Sequence, residues 1–266
     1  MSELQLRPQH PDEQGVIIDT RSAPSTLEYV GFRVHRLSDG QRIGEAGGGC
    51  EICLVILGGQ ASVSAGGETF ERIGERRDVF DKKPPWAVYI PDRCDYEITA
   101  HGELEVAVCM APGAGGQGVR LIGPSDIARS TRGEGSNVRH IHDILPETEP
   151  ADSLLVVEVY TPAGNWSSYP PHKHDRDNLP HESLLEESYY HRIDPPQGFA
   201  FQRVYTDDRA LDETMAVGNG DCVLVPRGYH PVGAPHGYEL YYLNVMAGPK
   251  RVWKFHNDPD HEWLLK

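Results

Sequence analysis

Short runs of apolar or alternating residues follow one another along most of the chain, and helical periodicity is scarce. Residues i and i+2 of an extended strand share a face, so this alternation predicts half-buried strands. The glycine pairs 58–59 and 66–67 lie between such runs, where tight hairpin turns are expected. We therefore predict an all-β fold. The expected strands lie within 29–37, 50–57, 60–65, 86–91, 104–110, 154–160, 184–193, 199–205, 221–226 and 238–246.

A glycine-rich segment at 112–118, followed by a polar stretch to about 137, separates two sets of predicted strands. With 266 residues in all, each set has enough strands for a barrel of its own. We therefore predict a first β-domain at 1–118, a connector at 119–137 and a second β-domain at 138–266.

Composition indicates which partners are disfavoured and in which compartment the protein is expected. The chain has 25 basic and 40 acidic side chains, a formal net charge of −15, which argues against a nucleic-acid or anionic-membrane surface. The chain has no run of 18 apolar residues, so no transmembrane span is predicted. Its N-terminus does not resemble a signal peptide. Five cysteines, an odd number, indicate reduced thiols and a cytoplasmic protein. The Cys50-x-x-Cys53 pair is interpreted as part of a core strand.

The most informative local feature is His172-Lys-His174, which follows two prolines. On a strand the two imidazoles point to one side and Lys173 to the other. Glu187 begins the next apolar run, and His230 follows a buried-looking strand that ends at Pro226. Three imidazoles and one carboxylate suit a borderline divalent ion, so we predict a transition-metal site. The ligand set tolerates zinc, manganese, iron or nickel.

The two halves differ in this respect. In the first half a comparable strand ends at Pro91, but Asp-Arg-Cys-Asp follows it and no His-x-His precedes it. The first domain is therefore predicted to lack a metal site and to be structural or to form an interface. His140 and His142 also form a His-x-His pair, for which we prefer a connector or interface role.

The order His-x-His, Glu, then Gly220-x5-Pro226-x-Gly228-x-His230 resembles the two motifs of the cupin superfamily. This resemblance implies two tandem jelly-roll β-barrels, a bicupin. The chain departs from the family pattern in one spacing: the usual three or four residues between the second His and the Glu are expanded to twelve, from Asp175 to Glu186. Glu182 and Glu186 therefore compete with Glu187 as the fourth ligand, and Glu187 is favoured by its Glu-Ser-Tyr-Tyr context.

Longer segments resemble the 5-deoxy-glucuronate isomerases of myo-inositol catabolism, over nearly the whole chain. They are 84–91, 166–175, 202–208, 225–232, 240–249 and 258–261. The resemblance implies a metal-dependent aldose–ketose isomerase that converts 5-deoxy-D-glucuronate to 5-dehydro-2-deoxy-D-gluconate, with the metal in the C-terminal cupin. A metal-dependent oxygenase and a non-catalytic sugar-acid-binding cupin are the alternatives. The expected partner is a small sugar acid, and the edge strands offer docking surfaces for a homo-oligomer.

A sugar-acid substrate requires a cationic partner for its carboxylate. Arg203 and Arg192 are candidates; strand alternation turns Arg192 outward and so favours Arg203, or Arg227 at the rim. For proton transfer we select Tyr242, with Tyr241, Tyr205, His191 and Lys173 as alternatives beside a metal-bound glutamate or hydroxide. Lys173 is expected outside the barrel unless its segment twists.

Overall fold

The computed structural model describes residues 2–22 and 27–265. These residues form an almost entirely β structure, which confirms the predicted fold class. The first strands are β1 Gln5–Leu6, β2 Val16–Asp19, β3 Gly31–Leu37, β4 Arg42–Glu45, β5 Cys50–Ala65, β6 Glu68–Ile73, β7 Ala87–Ile90, β8 Tyr96–Pro112 and β9 Arg120–Ile122.

The strands of the second half are shorter and more numerous. They are β10 Ala128–Arg132, β11 Arg139–Leu145, β12 Leu155–Thr161, β13 Trp166–Ser167, β14 His172–Lys173, β15 Asp175–Asn178, β16 Glu182–Leu184, β17 Glu186–Asp194, β18 Phe199–Tyr205, β19 Asp212–Gly218, β20 Cys222–Val225, β21 Val232–Gly233, β22 Glu239–Ala247 and β23 His256–Asn257. Short 3-10 turns occur at Thr20–Ser22, Val79–Asp81, Gly135–Asn137 and Pro259–Leu265.

The first half is built on two long antiparallel strands, β5 and β8, which pair along most of their length. Strand β8 pairs with β4 through its first part and with β3 through its second, so one sheet of eight strands supplies both walls of the barrel. Apolar side chains fill the space between these walls, among them Ile52, Leu54 and Val108. Cys53 is completely buried in β5, where desolvation raises the pKa of its thiol to about 12. It is therefore a neutral core residue.

The second half has two separate walls that face each other. A seven-stranded sheet has the order β1-β20-β17-β22-β12-β11-β10, and a four-stranded sheet has the order β13-β21-β18-β19. Their facing sides enclose an apolar cluster that includes Val157, Val204 and Val217. Because successive residues of a strand alternate between faces, Tyr189 points into this barrel and Tyr190 points out of it.

The outer face of the seven-stranded sheet packs against the first half through one shared apolar cluster. A buried ion pair lies inside this interface, where the guanidinium of Arg76 donates to Glu158 at 2.9 Å. The Nδ1 atom of His142 lies 2.7 Å from the other oxygen of Glu158. His142 is therefore an interface residue, and its carboxylate neighbour comes from the adjacent strand.

The division into a first domain at 1–118, a connector at 119–137 and a second domain at 138–266 stays a prediction. The pairing of three strands bears on it. The expected connector contributes β9 to the first half, paired with β7, and β10 to the second half, paired with β11. At the N-terminus β1 crosses over and pairs with β20. In the described part of the chain, no helix is long and apolar enough to span a lipid bilayer.

Candidate metal centre

Three histidines meet at one end of the second barrel. Each of His172, His174 and His230 offers a ring nitrogen, and these nitrogens all lie within 4.8 Å of one another. His172 begins β14, and the extended backbone there turns His174 to the same side. His230 comes from the turn that follows β20, and its side chain is completely buried. A strand pair and a turn thus converge on one point, as the spacing predicts.

Glu187 completes the cluster. Its Oε2 atom lies 3.1 Å from Nε2 of His174 and 3.2 Å from Nε2 of His230. The two competing glutamates lie elsewhere. Glu186 faces the first half and accepts the backbone N–H of Tyr29 at 2.7 Å, whereas Glu182 lies 3.3 Å from the ammonium of Lys173. The structure therefore brings the favoured glutamate to the imidazoles.

Backbone carbonyls orient two of the rings. Nδ1 of His174 donates to the carbonyl oxygen of Leu185 at 2.9 Å, and Nδ1 of His230 donates to that of Gly228 at 2.8 Å. A ring that donates through Nδ1 keeps the lone pair on Nε2, so both Nε2 atoms are available as ligands. Nε2 of His230 has no hydrogen-bond partner in the described residues, because Glu187 is close but not aligned with it. A buried nitrogen of this kind fits a divalent cation.

The electrostatics of the cluster favour a neutral His172 beside an ionised Glu187. Burial opposes the charged form of His174, but its contacts with Glu187 outweigh burial and raise the pKa of that ring. Burial, together with the neighbouring His230 and His174, lowers the pKa of His172 well below its usual value. Burial opposes the ionised form of Glu187, but its contacts with His174 and His230 outweigh that effect and lower its pKa to about 2. Neutral imidazole nitrogens and a carboxylate are the forms that bind a metal.

Lys173 points away from the cluster, as alternation predicts. Its ammonium group lies 2.6 Å from Asp175, 3.3 Å from Glu182 and 3.3 Å from Asp207, and the side chain is 1 % exposed. The structure therefore does not bring Lys173 into contact with a substrate in the barrel, although it was nominated as a catalytic residue. Its ion pairs anchor the strand that carries His172 and His174.

A cavity of about 560 Å³ opens next to His172 and Glu187. The hydroxyl of Tyr242 lies on its wall and shares a short hydrogen bond with Ser167, and that of Tyr189 lies 3.0 Å from Ser168. Burial raises the pKa of Tyr242 to about 12, so this phenol is neutral at physiological pH. Of the residues nominated for catalysis, Tyr242 is the one that the structure places in the cavity.

The C-terminal segment covers part of this cavity. Strand β23 pairs with β14 through His172 and Asn257, which brings the ring of Phe255 to 4.7 Å from that of His172. Trp253 and Leu264 also line the cavity. The tail therefore folds back against the second barrel and shields the histidines from water.

Arg203 lies outside the cavity, so its nomination as the carboxylate-binding residue is not supported by its position. Gln202 is completely buried, and alternation along β18 therefore turns Arg203 outward. There its guanidinium forms two hydrogen bonds with Asp212, at 2.8 and 2.7 Å. Arg192 pairs with Glu105 of the first half, and Arg227 is exposed.

Among the polar residues that line the cavity, Arg139 and Asn244 were not selected for the site from sequence. The register of β11 offers a signal for the first, because Arg139 shares a face with Ile141, which is buried inside the barrel. Asn244 shares a face with Tyr242 on β22, and its environment could have been inferred from that spacing.

Comparison with known proteins agrees with this architecture. Residues 5–264 match the model of the KduI/IolB family. The chain is 58% identical, over 266 residues, to the 5-deoxy-glucuronate isomerase of Geobacillus kaustophilus. The alignment covers all of this chain and 96% of that protein. It is 53% identical over 270 residues to the enzyme of the same name from Bacillus subtilis, with 100% of both chains covered.

Two solved structures show the fold. An IolB-like protein from Salmonella typhimurium superposes with a TM-score of 0.95 at 49% identity, covering 99% of each chain. Oxalate decarboxylase of Bacillus subtilis superposes with a TM-score of 0.66 at 14% identity, covering 97% of this chain and 80% of the other. The second likeness supports the tandem cupin architecture only, and together they confirm the predicted bicupin fold.

Proposed function

The chain belongs to the KduI/IolB family, and on that premise we propose that it is a metal-dependent isomerase that converts 5-deoxy-D-glucuronate to 5-dehydro-2-deoxy-D-gluconate in myo-inositol catabolism. The observation that carries this proposal is full-length identity of 52–58% to relatives that bear the isomerase name. The closely grouped His172, His174, His230 and Glu187 beside a cavity of suitable size support it.

His172, His174, Glu187 and His230 would hold the divalent ion, and zinc, manganese, iron and nickel all suit this ligand set. When bound, the ion supplies a Lewis acid that stabilises negative charge on neighbouring substrate oxygens. Isomerisation of an aldose moves hydrogen between C2 and C1 and develops negative charge on those oxygens. A site that combines three imidazoles and a carboxylate with an adjacent cavity of about 560 Å³ is suited to that reaction.

The neutral hydroxyl of Tyr242 is the proposed proton donor to a substrate oxygen. Its pKa of about 12 keeps the proton on the phenol, and Ser167 fixes the direction of the hydroxyl. Tyr189 lies beside it, with ring centroids 5.0 Å apart, and its hydroxyl is in turn fixed by Ser168. Phe255 and Trp253 limit access of water, which strengthens polar interactions inside the cavity.

The test is NMR of 5-deoxy-D-glucuronate in D2O under anaerobic conditions, first with metal-stripped protein and then after addition of Mn(II) or Zn(II). We expect the 2-keto product only after metal is restored. In Tyr242→Phe we expect turnover to fall about 100-fold with metal content unchanged, because one proton donor is removed. Absence of product with any metal would refute the isomerase, product that requires O2 would favour oxygenase chemistry, and an unchanged Tyr242→Phe rate would refute the role of that phenol.

A further inference from the structure

The cavity that contains His172 and Glu187 is also lined by two arginines, Arg132 and Arg139. They are the last residue of β10 and the first residue of β11, and they face each other as register partners. The acidic residues of the lining are Glu134, in the turn between the two arginines, and Glu187 of the histidine cluster. Two guanidinium groups that face each other on one wall favour an anionic group at that point.

Arg139 differs from the arginines that are buried as ion pairs. Arg76 and Arg192 are paired with Glu158 and Glu105, but Arg139 forms no ion pair with any described residue. Arg251 also lacks an ion pair, but its guanidinium donates to four backbone carbonyl oxygens. The guanidinium of Arg139 makes one hydrogen bond, to the carbonyl oxygen of Asn137 at 3.1 Å. Burial and the neighbouring Arg132 lower its pKa, so the structure holds a cation at a place that costs free energy.

The turn between the two arginines is shaped to admit this guanidinium. Gly133 has a φ of +83°, and a Cβ atom there would lie 2.0 Å from the carbonyl oxygen of Asn137 and 2.9 Å from Nη1 of Arg139. Any side chain at Gly133 would therefore displace the group that orients Arg139.

A second observation points to a ligand in the same cavity. The side chain of Asn244 is 4 % exposed and lines the cavity, and its Nδ2 has no hydrogen-bond partner in residues 2–22 and 27–265. A buried amide donor without a partner is costly unless a bound molecule supplies an oxygen. Asn244 lies on β22 two residues from Tyr242 and on the same face.

We propose that Arg139, assisted by Arg132 and Asn244, binds the carboxylate of the substrate, so that the enzyme selects aldoses that end in a carboxylate. The inference rests on the proposed isomerase function and deepens it. A guanidinium pairs with both oxygens of a carboxylate, and the amide of Asn244 donates to a further substrate oxygen. The reacting aldehyde end then lies at the imidazoles, and the arginines recognise the far end of the sugar.

The test compares wild type, Arg139→Gln and Arg139→Lys on 5-deoxy-D-glucuronate and on 5-deoxy-D-glucose, which has a neutral CH2OH at C6. For Arg139→Gln we expect KM for the uronate to rise roughly 10- to 100-fold, the range for loss of a hydrogen-bonded charge. Arg139→Lys should lie between, because it keeps the charge but not the paired geometry. Wild-type and variant constants for the neutral sugar should agree within about threefold. Arg129→Gln, an exposed arginine of the same strand β10, is the matched control.

Metal content and calorimetric binding of D-glucuronate provide readouts that do not depend on turnover. Unchanged metal content in Arg139→Gln would show that the histidine cluster is intact. If wild type turns over the uronate but Arg139→Gln does so with an unchanged KM, the carboxylate site is wrong and the isomerase stands. If wild type turns over neither sugar yet binds D-glucuronate in an Arg139-dependent manner, the isomerase is wrong and the carboxylate site stands. Arg139-independent binding without turnover would overturn both.

Discussion

The two halves of the molecule use the same strand register but fill the barrel interior with different side chains. In the first half Ile52 pairs with Ile90 and Met110; in the second, Glu187 pairs with Val225 and Met246. Ile52 thus occupies the place of the carboxylate ligand. The following inward pairs are Leu54–Val108 and Ile56–Val106 in the first half, and Tyr189–Asn244 and His191–Tyr242 in the second. The inward positions are apolar in the first half and mostly polar in the second half.

The loops after the equivalent prolines differ in the same sense. Four residues after Pro226 comes His230, whereas four residues after Pro91 comes Asp95. Asp95 is exposed and accepts the backbone N–H of Gly47 at 2.6 Å, so it closes a loop and does not face the barrel interior. The fourth position after the proline therefore carries a candidate metal ligand in one half and closes a loop in the other.

The outward positions next to Ile52 and Glu187 are, by contrast, alike. Glu51 accepts the backbone N–H groups of Ser153 and Leu154, in the second half. Glu186 reciprocally accepts those of Glu28 and Tyr29, in the first half. The two halves clamp each other through matching carboxylates while their interiors differ. Interface chemistry and site chemistry are thus separated by one residue along the strand, because alternate side chains point to opposite faces.

The sharpest contrast between the halves is expected from removing His230 and its positional counterpart Asp95. His230→Ala removes a buried nitrogen from the cluster, and we expect metal loss and a drop in kcat/KM of at least about 1000-fold, since Lewis-acid stabilisation amounts to several kcal/mol. Asp95→Ala should keep both within about threefold. Metal analysis, kinetics and circular dichroism check this. A folded, metal-free but fully active His230→Ala would exclude the assigned centre.

A second experiment introduces the carboxylate of Glu187 at the equivalent position of the first half. Ile52→Glu places a carboxylate where Ile52 is 8 % exposed and where no histidine converges in the described residues. We expect the free energy of unfolding to fall by about 3 kcal/mol or more, because a buried carboxylate without partners is costly. The metal content should stay unchanged. Ile52→Leu, which keeps the volume, is the control and should cost less than about 1.5 kcal/mol. An additional bound metal would show that the first barrel is closer to a site than its side chains indicate.

Much of the candidate centre follows from sequence because its ligands depend on local periodicity. His172 and His174 share a face by alternation, and the Gly-x5-Pro-x-Gly turn places His230 at a strand end. The insertion before Glu187 left the choice of glutamate open, and the structure accounts for it. Residues 175–184 form a hairpin, β15 and β16, in which Asp175 pairs with Leu184. The chain therefore leaves the barrel wall after His174 and rejoins it in the strand that contains Glu187.

The substrate-binding residues were harder to predict because they depend on tertiary placement. Arg203 was chosen although its neighbour Gln202 is the inward residue, and no local pattern distinguishes the two faces of a strand that carries Phe199 and Phe201 on its exposed side. Arg139 lies two residues after the stretch expected to be a connector, and its direction is set by the turn at Gly133. Local alternation fixes which residues share a face, but packing decides which face is inside.

The smallest expected difference between the barrels is in acid stability, and it depends on His191, which replaces Ile56 of the first half. His191 is completely buried and hydrogen-bonded through Nε2 to Gln202 at 2.8 Å, and burial lowers its pKa from 6.5 to about 4. Below pH 6.5 the unfolded chain takes up a proton that the folded chain refuses, so this residue's contribution falls as pH falls through that window. Between pH 7 and pH 5 the free energy of unfolding falls by about 2 kcal/mol through this residue.

In metal-stripped protein, His191→Ile should therefore lose less stability than wild type over this range in urea unfolding. Equal losses in the two proteins would mean that His191 is already protonated, or accessible to water, in the folded barrel.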